Sequence, residues 1–472
     1  MKIFYALIFV LITFLGCKKE NNEAANYAYV GGEIINPNTN YVVLSKNEAI
    51  IDTIKLDGRN RFLYKVNDLQ QGLYAFRHGG EYQMILLEPQ DSVLFRLNTL
   101  DFDESLVFTG NGDKKNNYLI NDFLESEKEE KHIVRLCQLN PNTYQHLIDS
   151  LKNMKAEALE SFNEKYKPSD LFKKIAQANI NYNYYSAKEV YPFVHYGKDK
   201  AAILKTLPDD FYDYRKDVNY NDEFLSSYYN YNTFLRHNVS NMSLKMHDSH
   251  SDDKSFDRKS VCYNLDRLYL IDSLIKNTTI KDDLLYYFTM AYISKGKKQD
   301  DNEAILKSYL AKCGNENYKN VMVSYAKSLN NLRDGLKLPE INVVNYNNQE
   351  LNINSLVNKP TAISFWSRIY YEHFKESHFK LEELKRKYPE VNFITINIDE
   401  CGIDKSKKML DAHKFDIANE YQFKNAKEAK EVLAVHPMTK TIILDKHSKI
   451  VDSNTNLFSS YFEDQLLGLI NK

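Results

Sequence analysis

Residues 359–373 read KPTAISFWSRIYYEH, and this stretch decides the fold of the C-terminal third of the chain. Thr361 to Trp366 carries no charge and is rich in apolar and β-favouring side chains, which predicts a strand buried on both faces. The polar residues after Trp366 break that run. From His373 to Tyr388 the spacing predicts an amphipathic helix with Phe374, His378, Leu381 and Leu384 on one side. Val391 to Ile398 is a second apolar strand. Thr441 to Leu444 and Ile450 to Val451 are further strands, and Phe462 to Ile470 is a closing helix. Strand–helix–strand order with short connections implies a parallel pair joined by a right-handed crossover.

Outward from this region, towards the N-terminus, the periodicity changes twice. Residues 113–336 are mostly helical in pattern: Leu147, Leu151, Met154, Ala158 and Phe162 recur at helical spacing, as do Leu265, Leu268, Ile271 and Ile275. Residues 27–112 alternate with a period of two, in Ile54/Leu56, Phe62/Tyr64/Val66 and Val93/Phe95/Leu97. Asp57-Gly58 predicts a hairpin turn and Pro89-Gln90-Asp91 another turn. The expected architecture is multidomain: an N-terminal all-β sandwich (27–112), a helical middle (113–336) and a C-terminal α/β domain (337–472).

The chain has 472 residues, enough for several cores. Its formal net charge is -2, so no bulk attraction to nucleic acid is expected. Lys2, the apolar run Ile3 to Phe14, and Leu15-Gly16-Cys17 read as an export signal over residues 1–17, too short for a confident membrane span. A small residue before Cys17 is similar to the lipobox of bacterial lipoproteins. That resemblance implies acylation of the Cys17 thiol, a polar tether over 18–26, and a lipid-anchored location in the bacterial cell envelope. An ordinary cleaved signal with a chance Cys is the alternative. The remaining cysteines, Cys137, Cys262, Cys313 and Cys401, are scattered with no CxxC. An oxidising compartment permits disulfides among them, in any of three pairings.

The C-terminal region resembles the thioredoxin-like domain of the TlpA/ResA group of envelope thiol-disulfide oxidoreductases. Three segments carry the resemblance: Lys359 to Trp366, which ends in Phe365-Trp366; Val391 to Asp399; and His436-Pro437-Met438-Thr439 with the strand Thr441 to Asp445. They match, in order, the strand before the active motif, the next strand, and the cis-proline loop with its following strand. The layout of residues 27–335 is similar to lipoproteins that join a β-sandwich and a helical region to such a domain. Family chemistry requires a nucleophilic Cys at the first turn of the helix, where the helix N-terminus favours thiolate, and a resolving Cys three residues on. Those positions fall on Tyr370 and His373. A phenol with a pKa near 10 does not exchange disulfides, and no Cys lies between Cys313 and Cys401. The resemblance therefore implies a domain without dithiol chemistry at that turn, acting in binding or scaffolding, with a protein or peptide as partner and no cofactor.

Other readings remain open at the same edge of the sheet. Tyr370, Tyr371, Glu372 and His373 form either a retained ligand cleft or a loop that covers the helix start. His436 precedes Pro437 and is expected to face His373; the two imidazoles, with Cys401, could hold a metal. A lone redox-active Cys401 is the enzymatic alternative. Farther upstream, His237, His247, Asp248, His250 and Asp252 could bind a divalent cation, against the plainer reading of a solvated loop between helices. The runs Tyr182/Tyr184/Tyr185 and Tyr228/Tyr229/Tyr231 are either a binding platform or a packed helix face.

Overall fold

The computed structural model describes residues 26–47, 49–251, 256–296 and 298–471. The predicted signal at 1–17 with Cys17, residues 18–25 of the tether, and Asp252 lie outside the described residues. No helix among the described residues is long and apolar enough to cross a membrane.

Eight strands come first: β1 (Tyr27–Ile35), β2 (Tyr41–Lys46), β3 (Ala49–Lys55), β4 (Arg61–Asn67), β5 (Gly72–His78), β6 (Glu81–Leu87), β7 (Ser92–Asn98) and β8 (Val107–Asn111). They form two four-stranded sheets, ordered β4-β1-β7-β8 and β3-β2-β5-β6. Alternation decides which side faces in: Val93, Phe95 and Leu97 of β7 are buried, whereas Leu94 between them is exposed. Inner residues of both sheets, among them Val30 and Phe95 of one and Val42 and Phe76 of the other, share one core. The Asp57-Gly58 turn is not a hairpin, because β3 pairs with β2 and β4 pairs with β1. The Asp57 carboxylate accepts the backbone N–H groups of Arg59 (2.8 Å) and Arg61 (2.9 Å), and Asn60 takes φ 59°. This local closure turns the chain from one sheet into the other.

The helices that follow are α1 (Asp113–Leu136), α2 (Pro141–Tyr166), α3 (Asp170–Val194), α4 (Lys200–Leu204), α5 (Tyr229–Asp248), α6 (Val261–Leu274), α7 (Thr278–Ile293), α8 (Gln299–Lys312) and α9 (Glu316–Asn331). On α2 the buried positions are Tyr144, Ile148 and Leu159, while Met154 is 64% exposed. Of the predicted face, Leu151 packs with Tyr144 and Ile148 and Phe162 packs with Tyr118 and Phe172, whereas Met154 and Ala158 are exposed. Tyr144 sets the true face, because its hydroxyl donates to the Ala187 carbonyl at 2.7 Å. By compactness the chain divides into two units: residues up to Lys128 with Phe162–Ala176, and Glu129–Ser161 with Gln177 onward. The second unit therefore holds most of the helical stretch together with the C-terminal sheet.

The remaining elements are β9 (Asn342–Asn345), β10 (Glu350–Asn352), β11 (Thr361–Trp366), α10 (Tyr371–Lys387), β12 (Asn392–Asn397), α11 (Ile403–His413), β13 (Glu420–Phe423), α12 (Ala426–Val432), β14 (Lys440–Leu444), β15 (Ile450–Asn456) and α13 (Phe462–Ile470). The strands form a seven-stranded sheet ordered β10-β9-β13-β12-β11-β14-β15. β11, β12 and β13 are parallel neighbours, and β14 joins β11 antiparallel. The alternation of β11 feeds two cores. Ala362 packs with Leu381, Leu384, Phe462 and Leu466 of α10 and α13. Ile363 and Phe365 belong instead to a core shared with Phe234, Leu268 and Leu285 of the helical stretch. Complete burial of Thr361–Trp366 follows from this double cover.

Candidate functional site

The turn between β11 and α10 is positioned by one carboxylate. Asp399, just past β12, accepts the Ser367 hydroxyl and the Arg368 backbone N–H (2.9 Å), and its carboxylate lies 3.4 Å from the Arg368 guanidinium. Asn397 donates to the same carboxylate at 3.2 Å. The parallel β11–β12 register, with Trp366 opposite Asn397, delivers these groups to one edge. Beyond this anchor Tyr370 occupies the N-cap of α10 without a side-chain cap, its ring 55% exposed. Ile369 beside it is also exposed.

His373 sits in the first turn of α10, half-buried, with its ring 6.1 Å from that of Phe458. Neither ring nitrogen has a hydrogen-bond partner, and desolvation, with a smaller push from His378, lowers its pKa below the usual histidine value. Burial costs the charged form more, so this imidazole is neutral at neutral pH. The His436–Pro437 bond is cis and both residues are exposed. The His436 ring meets Tyr325 of α9 at 6.1 Å, and the Tyr325 hydroxyl donates to the His436 carbonyl at 3.0 Å. The two histidines thus have different aromatic neighbours, Phe458 and Tyr325. Desolvation, then the nearby Lys440, lowers the His436 pKa as well.

Cys401 lies in the bend that leads to Gly402, the N-cap of α11, and is partly exposed. Cys137, Cys262, Cys313 and Cys401 are all free thiols. Cys137 is buried, and desolvation pushes its thiol up to about 11, so it is inert.

Beneath the turn lies a polar cluster that periodicity alone does not reveal. Trp366, fully buried, donates its indole N–H to Glu420 Oε2 at 3.2 Å. The other carboxylate oxygen accepts the Thr395 hydroxyl and stands 3.3 Å from His378 Nε2, an ion-pair distance without hydrogen-bond alignment. His378 Nδ1 is 2.7 Å from the Phe374 carbonyl, which can only accept, so Nδ1 carries a proton. His378 and Glu420 also line an open cavity of about 370 Å³, together with Lys385, Arg386 and Asp416. His378 was legible only as one member of an apolar helix face; Glu420 stands on a short strand with no sequence signal of its own.

Elsewhere the sequence candidates resolve differently. His247 lies in the last turn of α5 and is buried, so the region is helical up to Asp248 rather than a solvated loop. Asp248 pairs with Lys205 at 3.1 Å, while His237 is a half-buried histidine whose pKa desolvation lowers. Tyr182 and Tyr231 pack edge to face with centroids 5.0 Å apart, as a helix face requires, while Tyr229 alone of the second run is strongly exposed. Asn238 is fully buried and donates to Glu189 at 2.6 Å.

No family profile matches the chain, and no curated protein matches it either. Solved structures do match over the C-terminal part. A Bacteroides vulgatus protein provisionally assigned as a thiol-disulfide oxidoreductase is 19% identical over 29% of this chain and 98% of its own, with a TM-score of 0.27. The thioredoxin domain of a thiol-disulfide oxidoreductase from the same organism is 19% identical, covering 30% of this chain and 96% of its own, with a TM-score of 0.24. A thiol:disulfide interchange protein from Bacteroides sp. is 16% identical over 30% of this chain and 89% of its own, again with a TM-score of 0.24. Each match is confined to under a third of the chain. The seven-stranded sheet, with β11 parallel to β12 and antiparallel to β14, is thioredoxin-like in topology.

Proposed function

We propose that this chain is a lipid-anchored envelope protein whose C-terminal domain binds a protein or peptide partner and performs no dithiol chemistry at the turn before α10. The observation that carries the reading is the identity of the residues at that turn. Tyr370 and His373 stand at the N-cap and in the first turn of α10, where a thioredoxin-like fold would activate sulfur, and neither carries a thiol. What the turn offers instead is contact surface: Ile369 and Tyr370 are exposed, with Phe458 nearby beside His373. A rim of exposed aromatic and aliphatic groups beside an Asp399-anchored loop suits recognition of an apolar side chain. Attachment through Cys17 would place the domain at a membrane surface.

The test is insulin reduction by the full mature chain with dithiothreitol as electron source. Turbidity is expected to develop no faster than with dithiothreitol alone, and Cys401→Ser is expected to change nothing. Turnover that disappears in Cys401→Ser would overturn the reading in favour of an oxidoreductase working from Cys401.

A further inference from the structure

Four side chains with metal-binding chemistry converge where the end of α5 meets the start of α6, on elements other than those that form the β11–α10 turn. They are His247, His250, Cys262 and Asp266, and one ligand atom from each lies within 4.8 Å of all the others. Among the described residues this is the one such group of three or more. Asp266 Oδ2 is 3.0 Å from His250 Nε2 and 3.4 Å from His247 Nδ1, and Cys262 Sγ is 3.9 Å from His250 Nδ1. Helical spacing makes the convergence: Cys262 and Asp266 are one turn apart on α6, while His247 in the last turn of α5 and His250 just beyond it supply the other half.

We propose that these residues form a site for a borderline-soft divalent transition metal, Zn²⁺ in the first instance. The donor set decides the class. Two imidazoles, one thiolate and one carboxylate are the ligands Zn²⁺ takes in four-coordinate sites, whereas Ca²⁺ and Mg²⁺ require oxygen shells. The distances agree. Zn–N and Zn–O bonds of about 2.0–2.1 Å and a Zn–S bond of about 2.3 Å, at tetrahedral angles, separate donors by about 3.3–3.6 Å. Asp266 Oδ2 lies 3.0 Å from His250 Nε2 and 3.4 Å from His247 Nδ1, close to that range, while one donor from each of the four residues stays within 4.8 Å of the rest, so a bound ion has only to draw the Cys262 thiol inward. Charge agrees too, since a thiolate and a carboxylate neutralise a dication. Burial is graded from His247, 4% exposed, through the Asp266 side chain at 12%, to the surface residues His250 and Cys262. The metal would therefore have an entry path from solvent and a dry inner wall. Bound there, it clips the C-terminal end of α5 to the first turn of α6, a structural role independent of the thioredoxin-like turn.

The full chain, expressed without a His tag and stripped with chelator, is titrated with Co²⁺ and Zn²⁺. Co²⁺ is expected to bind at one equivalent, with visible bands of tetrahedral intensity and a near-ultraviolet thiolate charge-transfer band. Zn²⁺ displaces it; Ca²⁺ and Mg²⁺ do not. Cys262→Ser, a surface change that leaves folding intact, should abolish the charge-transfer band. Loss of an outer-shell partner typically weakens a metal site by about 10–100-fold, so His250→Ala, which removes a direct ligand, should weaken Zn²⁺ by more than about 100-fold. Zn²⁺ affinity unchanged in both variants, or a Co²⁺ spectrum without the thiolate band, would mean that Asp266 merely hydrogen-bonds two imidazoles, and would overturn the proposal.

Discussion

Lys440 gives the most quantitative test of the C-terminal sheet. Its ammonium position at the start of β14 is 1% exposed, and its Nζ donates to the carbonyls of Leu433 (2.9 Å) and Ala434 (3.0 Å) at the end of α12. Desolvation pulls its pKa from the usual 10.5 down to about 7. A neutral amine still has two N–H groups for the two carbonyls, so the native state can release the proton and keep both bonds. Between about pH 7 and 10.5 the unfolded chain then holds a proton that the native chain lacks, and stability must rise with pH. With those two pKa values the gain from pH 7.5 to 9.5 is about 2.5 kcal/mol, from about 1.36 kcal/mol for each tenfold in proton affinity. Trp366, the only tryptophan, lies on β11 beside β14 and is fully buried, so its emission reports the sheet directly. Urea unfolding followed through Trp366 at the two pH values, in wild type and Lys440→Met, isolates the term, because other titrating groups cancel in the difference. Lys440→Met is expected to lose the pH-dependent gain. Equal pH dependence in the two proteins would show that Lys440 stays charged inside the fold.

Two further outcomes follow from geometry already described. Replacing Tyr370 and His373 together by Cys restores a CxxC at the N-cap and first turn of α10; the double variant is expected to form an internal disulfide and to reduce insulin measurably above wild type, and failure to oxidise would show that the turn is not built as a thioredoxin-like motif. Glu189, fully buried, accepts from Tyr214 (2.5 Å), Arg215 Nε (2.8 Å) and Asn238 (2.6 Å), so Glu189→Gln strands the Arg215 guanidinium and should lower stability by about 3–5 kcal/mol in denaturant unfolding, with Glu189→Gln/Arg215→Met recovering much of it. A loss under about 1 kcal/mol would mean water already solvates that arginine.

Legibility in the sequence tracked how local each signal is. Thr361–Trp366 and the helix that follows declared themselves because a strand buried on both faces needs an unbroken apolar run, and an amphipathic helix needs its stripe. The Asp57-Gly58 turn was visible as a turn, but which sheet the next strand joins depends on partners distant in the chain. The α2 stripe was half right: Leu151 and Phe162 pack, but Met154 and Ala158 are apolar yet exposed, off the face that Tyr144 and Leu159 bury. At the site, Tyr370 and His373 could be placed by counting from Phe365-Trp366. Asp399 and Glu420 could not, since each earns its role from a register between strands. Likewise His247 and His250 were visible as a pair, whereas Cys262 and Asp266 needed the packing of α5 on α6.

The double use of β11 has a practical corollary for anyone who would handle the last third of the chain by itself. Ile363, Phe365, Ile394 and Ile396 belong to one continuous core that also takes in Ala426, Ala429 and Leu433 beside α12, Tyr325 of α9 and side chains of α5, α6 and α7. Cutting the polypeptide ahead of residue 337 would divide that core in two. Helices α5 to α9 thus share the later domain's interior, and they and the sheet are to be expressed and mutated together.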